Sequence, residues 1–153
     1  MTGTLTQERD GGQISILLIG MVALTLTIIF AVIGVTSVQL SRIQLLDAAD
    51  AAALDASDAL AREQIYEGGL GTGPPVTDET VIDAASEHLA RRVQPSRIEE
   101  WGLGSGTGTT DGRTAVVTVT GRASIPVVSS VLEAFGGGVT ITVTSSARSE
   151  VAG

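Results

Sequence analysis

The sequence predicts an α+β protein: one N-terminal transmembrane helix that continues into an alanine-rich helix, then a small domain with one further helix and a two- to three-stranded antiparallel sheet. Three observations carry that prediction. No charged side chain occurs between Ile14 and Val38, and no glycine or proline interrupts the alanine-rich run from Gln39 to Glu67. After Thr114 the apolar period changes from helical spacing to alternation with threonine. The organisation that follows is a short leader (1–12), a membrane helix (13–41), a juxtamembrane alanine-rich helix (42–67), a Gly/Pro linker (68–76) and a small extracytoplasmic α+β domain (77–153).

The apolar segment reads ISILLIGMVALTLTIIFAVIGVTSV. As a helix rising about 1.5 Å per residue it spans roughly 37 Å, against a hydrocarbon core of about 30 Å. Thr25, Thr27, Thr36 and Ser37 are compatible with lipid, because their hydroxyls can bond back to helix carbonyls. A cleaved secretory signal has a shorter apolar region behind a basic leader; this run is longer and its leader, with Glu8, Arg9 and Asp10, is close to neutral. The expectation is an uncleaved anchor. Counting arginines on either side is nearly a tie, and the lack of a basic cluster after the helix favours a cytoplasmic N-terminus. Gly20 and Gly34 have no small residue four positions on in Leu24 and Val38, so no helix-dimer motif is claimed.

The helix continues beyond the membrane near Arg42, a residue able to reach back to the headgroups. Leu46, Ala49, Ala53, Ala56 and Leu60 recur at steps of three and four and form one face. That face could take a partner helix or the chain's own domain. Asp47, Asp50 and Asp58 lie beside or opposite it. GGLGTGPP, from Gly68 to Pro75, reads as a break. A second helix is expected over about Asp78 to Val93, with Thr77 as N-cap and Ile82, Ala85, Leu89 and Val93 as its apolar stripe. Arg91 and Arg92 suit its carbonyl end.

Trp101 is expected at a core edge, and Gly102 to Gly112 as a mobile loop closing in an Asp111-Gly112 turn. Thr114–Thr120 and Val139–Thr144 are rich in β-branched residues and read as two strands; a third is expected between Pro95 and Leu103. Ser129 to Phe135 between them is expected to be a short helix.

Composition excludes several functions. The net charge is −8, all nine basic residues are arginine, and the part after the apolar run carries eight of them against fifteen acids. That balance opposes nucleic acid, which needs a dense positive footprint, and an extended basic patch on anionic lipid. There is no cysteine, hence no disulfide, iron–sulfur or thiolate zinc site. His88 is expected as an exposed helical residue, and one histidine without cysteine makes no ordinary zinc site. Asp78, Glu79, Asp83 and Glu87 form a solvated acidic face. Ser residues occur in no nucleophile motif, and GGLGTG lacks the Lys-Ser/Thr of a phosphate loop. No catalytic, cofactor or metal residues and no small-molecule substrate are expected.

The N-terminal third carries a more specific pattern. Gly12-Gln13 immediately precedes the apolar helix, and Arg42 is followed by Asp47-Ala48-Ala49-Asp50-Ala51-Ala52-Ala53-Leu54 just beyond it. This resembles the N-terminal region of the TadE/TadG-like proteins of Flp (tight adherence) pilus assembly, over about Gly11 to Ser57, with Arg42 and the run Ala48, Ala49, Asp50, Ala51, Ala52, Ala53, Leu54 as the matching block. The Val/Thr strands and the arginine-only composition are similar to actinobacterial versions. Pilin-like chains cut by the prepilin peptidase carry Glu at the fifth mature position; cleavage between Gly12 and Gln13 would put Leu17 there, which argues against processing. The resemblance implies a non-catalytic, membrane-anchored accessory or minor component of pilus assembly or a related secretion system. Its implied partners are the lipid bilayer and other pilus or secretion membrane proteins. The alternative is an exported surface adhesin or binding module that shares only the anchor.

Overall fold

No proline precedes Pro74, and alanine, leucine and isoleucine fill most of the positions before it, so nothing stops a helix once it has begun. In the computed structural model, which describes residues 10–70, 77–125 and 138–148, the first helix, α1, runs unbroken from Asp10 to Leu70. Its 61 residues measure about 90 Å at 1.5 Å per residue. The break expected from Gly68 does not occur there: Gly68 and Gly69 continue the last turn to Leu70. The rest of that linker, the leader before Asp10 and the expected short helix at 129–135 lie outside the described residues.

The second helix, α2, spans Asp78–Arg91 and ends two residues short of the expected Val93. Thr77 occupies the N-cap position in extended geometry, but its side chain makes no capping bond. Asp78 instead accepts the Thr109 backbone N–H at 2.8 Å, tying the start of α2 to the sheet. The buried stripe is Val81, Ala85 and Leu89, four residues apart. Ile82 (40% exposed) and Val93 (88% exposed) were expected in that stripe and face solvent instead. A step of four from Ala85 reaches either Val81 or Leu89, and Val81 completes that line whereas Ile82 lies about 100° round the helix.

Four strands follow: β1 (Ile98–Leu103), β2 (Gly108–Thr109), β3 (Thr114–Ser124) and β4 (Gly138–Arg148). All pairings are antiparallel, and β3 is central. Along one edge β4 pairs with β3 from Thr114–Arg148 to Ser124–Gly138. Along the other, β1 pairs with its Val119–Ala123 half and β2 with Ala115–Val116. The sheet is therefore three strands wide although four segments build it. Gly104 still donates its N–H to the Thr118 carbonyl at 2.8 Å, after which the chain leaves the ladder before β2 and the Thr107 hydroxyl takes over: it accepts the Thr118 N–H at 3.1 Å and donates to the Gly104 carbonyl at 3.1 Å. The stretch expected as a mobile loop from Gly102 to Gly112 thus contains the end of β1 and all of β2.

Alternation sorts the sheet into two faces. Ala115, Val117, Val119 and Ala123 of β3, Ile141 and Val143 of β4, and Ile98 of β1 form the core side, with Trp101 and Leu103 packed at its margin. On the outer side Thr118 and Thr144 share a hydrogen bond of 3.0 Å, and Thr120 and Thr142 one of 3.2 Å. Helix α1 lies over β3 and β4, while α2 packs beside it over the β1/β2 edge.

Gly121 sets how close α1 comes. A Cβ there would stand 2.9 Å from Leu45 Cδ2 and 3.1 Å from Ile98 Cγ2, both on fully or nearly fully buried side chains. Gly121→Ala is therefore expected to destabilise the domain by about 1–3 kcal/mol through overpacking. Thermal unfolding of the full chain in detergent, followed by the single Trp101, measures it.

At the β2–β3 turn, Asp111 accepts the N–H groups of Arg113 (2.9 Å) and Thr114 (2.6 Å) and the Thr114 hydroxyl (3.0 Å), while Gly112 holds a left-handed φ of +67°. The Arg113 and Thr114 amides, with smaller help from the Thr114 hydroxyl and Arg148, hold the Asp111 carboxyl below its ordinary value. Its contribution is thus complete above the ordinary carboxylate range of about 4 and is lost as pH falls through the lower folded value. Acidification to about pH 3 should speed amide exchange at Arg113 and Thr114 beyond the intrinsic rate change. In Asp111→Ala those amides should already exchange fast at neutral pH.

Candidate functional site

The candidate functional element is α1, and its two halves are built differently. From Gln13 to Ile33 every residue is exposed, including Leu17, Leu18, Met21, Val22, Ile28 and Ile29. That 21-residue stretch spans about 30 Å, the thickness of a hydrocarbon core. Its hydroxyls are satisfied within the helix: Thr25 donates to the Met21 carbonyl, Thr27 to Ala23 and Thr36 to Val32, at 2.8–2.9 Å. These threonine hydroxyls therefore need no water.

From Ser37 onward one side of the same helix is covered. Ser37, Ser41, Leu45, Ala48, Ala49, Ala52, Ala53, Ala56, Ser57 and Leu60 are buried against the sheet and α2. Small side chains dominate because the backbone of the helix lies close to Gly121 and to Ala85 and Val81 of α2. Of the face read from sequence, Ala49, Ala53, Ala56 and Leu60 are fully buried in this core, and Leu46 is 40% exposed. Leu45 occupies the place assigned to Leu46. The chain's own sheet and α2 thus occupy that alanine face.

The family-like block divides in the same way. Ala48, Ala49, Ala52 and Ala53 are buried and Ala51 is half-buried, while Arg42, Asp50 and Leu54 face outward. The outward residues themselves recur at steps of three and four: Leu40, Ile43, Asp47, Asp50 and Leu54, all exposed. Gly12 and Gln13 lie within the first turns of α1.

A polar layer joins α1 to α2. His88 Nδ1 lies 2.7 Å from Asp55 Oδ2, with Arg91 3.7 Å from the same oxygen and 3.1 Å from Glu87. Arg92 pairs with the Asp47 carboxylate. His88, expected to be an exposed helical residue, keeps only 22% of its side chain exposed. Arg91 and Arg92, expected at the carbonyl end of the helix, are its last residue and its C-cap, and both also reach carboxylates of α1. Asp55 and His88 stand 33 residues apart, and no spacing rule within one helix could pair them. The grooves beside this layer are open and lined by charged side chains such as Asp55, Arg62, Glu87 and Arg91. Among the described residues no cluster of three potential metal ligands occurs. A double-mutant cycle on Asp55→Ala and His88→Ala is expected to return a coupling of about 0.5–1 kcal/mol, the range of a partly exposed pair.

Residues 12–62, about a third of the chain, match the Flp pilus-assembly TadE/G-like family model. No curated protein and no solved structure matches the chain. The matched stretch takes in the bare apolar half of α1 and most of its docked half, and leaves α2 and the sheet outside. Over residues 12–62 the chain is similar to the N-terminal anchor region of the TadE/TadG-like proteins of Flp pilus assembly, and its single long apolar helix is consistent with membrane anchoring.

Proposed function

We propose that the chain is a single-pass component of an Flp/Tad-type assembly apparatus, with its N-terminus in the cytoplasm and its sheet domain outside. The observation that carries this reading is the match of residues 12–62, which covers the one helix that is bare for a membrane's thickness and then docked. The lack of a basic cluster after the helix supports the orientation.

Contact with neighbouring assembly proteins runs along the outward stripe Leu40, Ile43, Asp47, Asp50 and Leu54. Two features support this. The alanine face is already used inside the chain, and Ile43 and Leu54 are each more than 60% exposed, more than Leu40 or Leu46 in the same half of the helix. The carboxylate of Asp50 on this stripe favours a partner with a basic residue at the same level, while that of Asp47 is engaged by Arg92.

Membrane fractionation with intact-mass measurement and a clean deletion test the proposal together. The full-length chain is expected in the membrane, the deletion is expected to lose pili, and Ile43→Asp with Leu54→Asp should fail to restore them at normal protein level. Normal piliation in the deletion strain would refute the reading. A chain beginning at Gln13 in sheared filaments would make it a filament subunit instead.

A further inference from the structure

We propose that the end of the sheet domain nearest the apolar helix is a seat for phospholipid headgroups, in which Arg42, Arg97 and Arg122 contact lipid phosphates. The proposal rests on the reading of Gln13–Ile33 as the membrane span.

The level of the bilayer surface is given by Gly34. A Cβ there would lie 3.8 Å from Ile125 Cγ2, so the end of β3 touches α1 where its fully exposed stretch stops. No stalk separates domain from membrane. Strand β3 then runs back along the helix, with Gly121 against Leu45. Ser124 and Ile125 therefore lie at the lipid surface, and the Asp111 turn lies at the far end of the strand.

Three arginines from distant parts of the sequence lie at the level of that near end, Arg42 on the helix, Arg97 just before β1 and Arg122 on the outer face of β3. Arg42 lies eight residues beyond Gly34, about 12 Å along the axis, and helical side chains lean toward the N-terminus, here toward the bilayer. Arg97 sits in the turn before β1, where its carbonyl accepts the Ser124 N–H at 2.9 Å, one residue from Ile125. Arg122 projects from the outer face of β3, and its side chain turns toward the membrane end. Its Cγ and Nε lie 3.1 Å from where a Gly138 Cβ would be, and Gly138 pairs with Ser124. Gly138 leaves the space in which Arg122 lies.

The charges are arranged in a way net charge hides. Among the described residues, Arg42, Arg97 and Arg122 form no ion pair, whereas Arg91 and Arg92 are engaged by Asp55, Glu87 and Asp47. Glu99 and Glu100 also lie at this end, and Glu100 stands opposite Arg122 in the ladder without an ion pair. Three guanidinium groups with free donors beside two carboxylates suit phosphate, which accepts the planar fork in two bonds. The headgroup layer reaches about 5–8 Å beyond the hydrocarbon on each side, and a snorkelling arginine spans the remaining distance.

The chain has no cysteine, so single labels are unambiguous. Ser124→Cys and Thr110→Cys, carrying an environment-sensitive fluorophore, place probes at the near and far ends. The full chain is reconstituted in vesicles of phosphatidylcholine with phosphatidylglycerol, with a headgroup-attached nitroxide lipid as quencher. Strong quenching at position 124 and little at 110 is expected. Arg42→Gln, Arg97→Gln and Arg122→Gln together should reduce quenching at 124, with about fivefold weaker surface association for each arginine removed. Trp101 fluorescence and helix content should remain those of the parent. Equal, weak quenching at both positions in a chain that resists alkaline extraction would overturn the seat and leave the anchor standing. A chain released by alkaline extraction would overturn both. Unchanged quenching in the triple variant would overturn the role of the arginines.

Discussion

The domain depends on how closely α1 can lie on β3. Leu45 rests on Gly121, where no side chain intervenes, and the alanines from Ala48 to Ala56 bring the helix backbone near the sheet and near α2. A core with few aromatics, only 3% of the chain, has little bulk with which to fill a wide gap between layers. Close approach supplies the packing density that large side chains supply elsewhere. Bulk at Gly121 or along the alanine face would push the layers apart and expose Ile98, Val117 and Val119 together.

Close packing of small side chains leaves the rim of the helix pair within reach of long polar ones. Asp47 and Asp55 of α1 meet Arg92, His88 and Arg91 of α2 across that rim. These contacts fix the antiparallel register of the two helices rather than supply much stability, since most of the groups are partly in water. Asp78 at the other end of α2 ties it to Thr109, so α2 is registered against helix and sheet at opposite ends.

One helix thus has two solvents. Up to Ile33 its surroundings are lipid; beyond Gly34 one side is the chain's own sheet and the other faces out. The helix has no break between the two. The outward stripe from Leu40 to Leu54 continues in line with the apolar span, so a neighbour could follow the helix from lipid into the domain without crossing a hinge.

The elements themselves were legible in the sequence: an uncharged run long enough for a bilayer, an alanine run without breakers, and β-branched alternation after Thr114 identify two helices and an antiparallel sheet. The family-like block was legible too, because Ala48–Leu54 directly follows an apolar helix. Facing was harder. Leu45 and Leu46, or Val81 and Ile82, are neighbours that fit a stripe of steps three and four almost equally, and only packing against Gly121 and Ala85 chooses between them. The strand in the Gly/Thr stretch was hidden because β2 owes its pairing to Val116 and Ala115 across the turn rather than to its own propensity. The pairing of His88 with Asp55, and the common level of Arg42, Arg97 and Arg122 at one end of the domain, belong to the tertiary structure alone. Periodicity reports neighbours within one element, whereas contacts between elements exist only once the chain has folded.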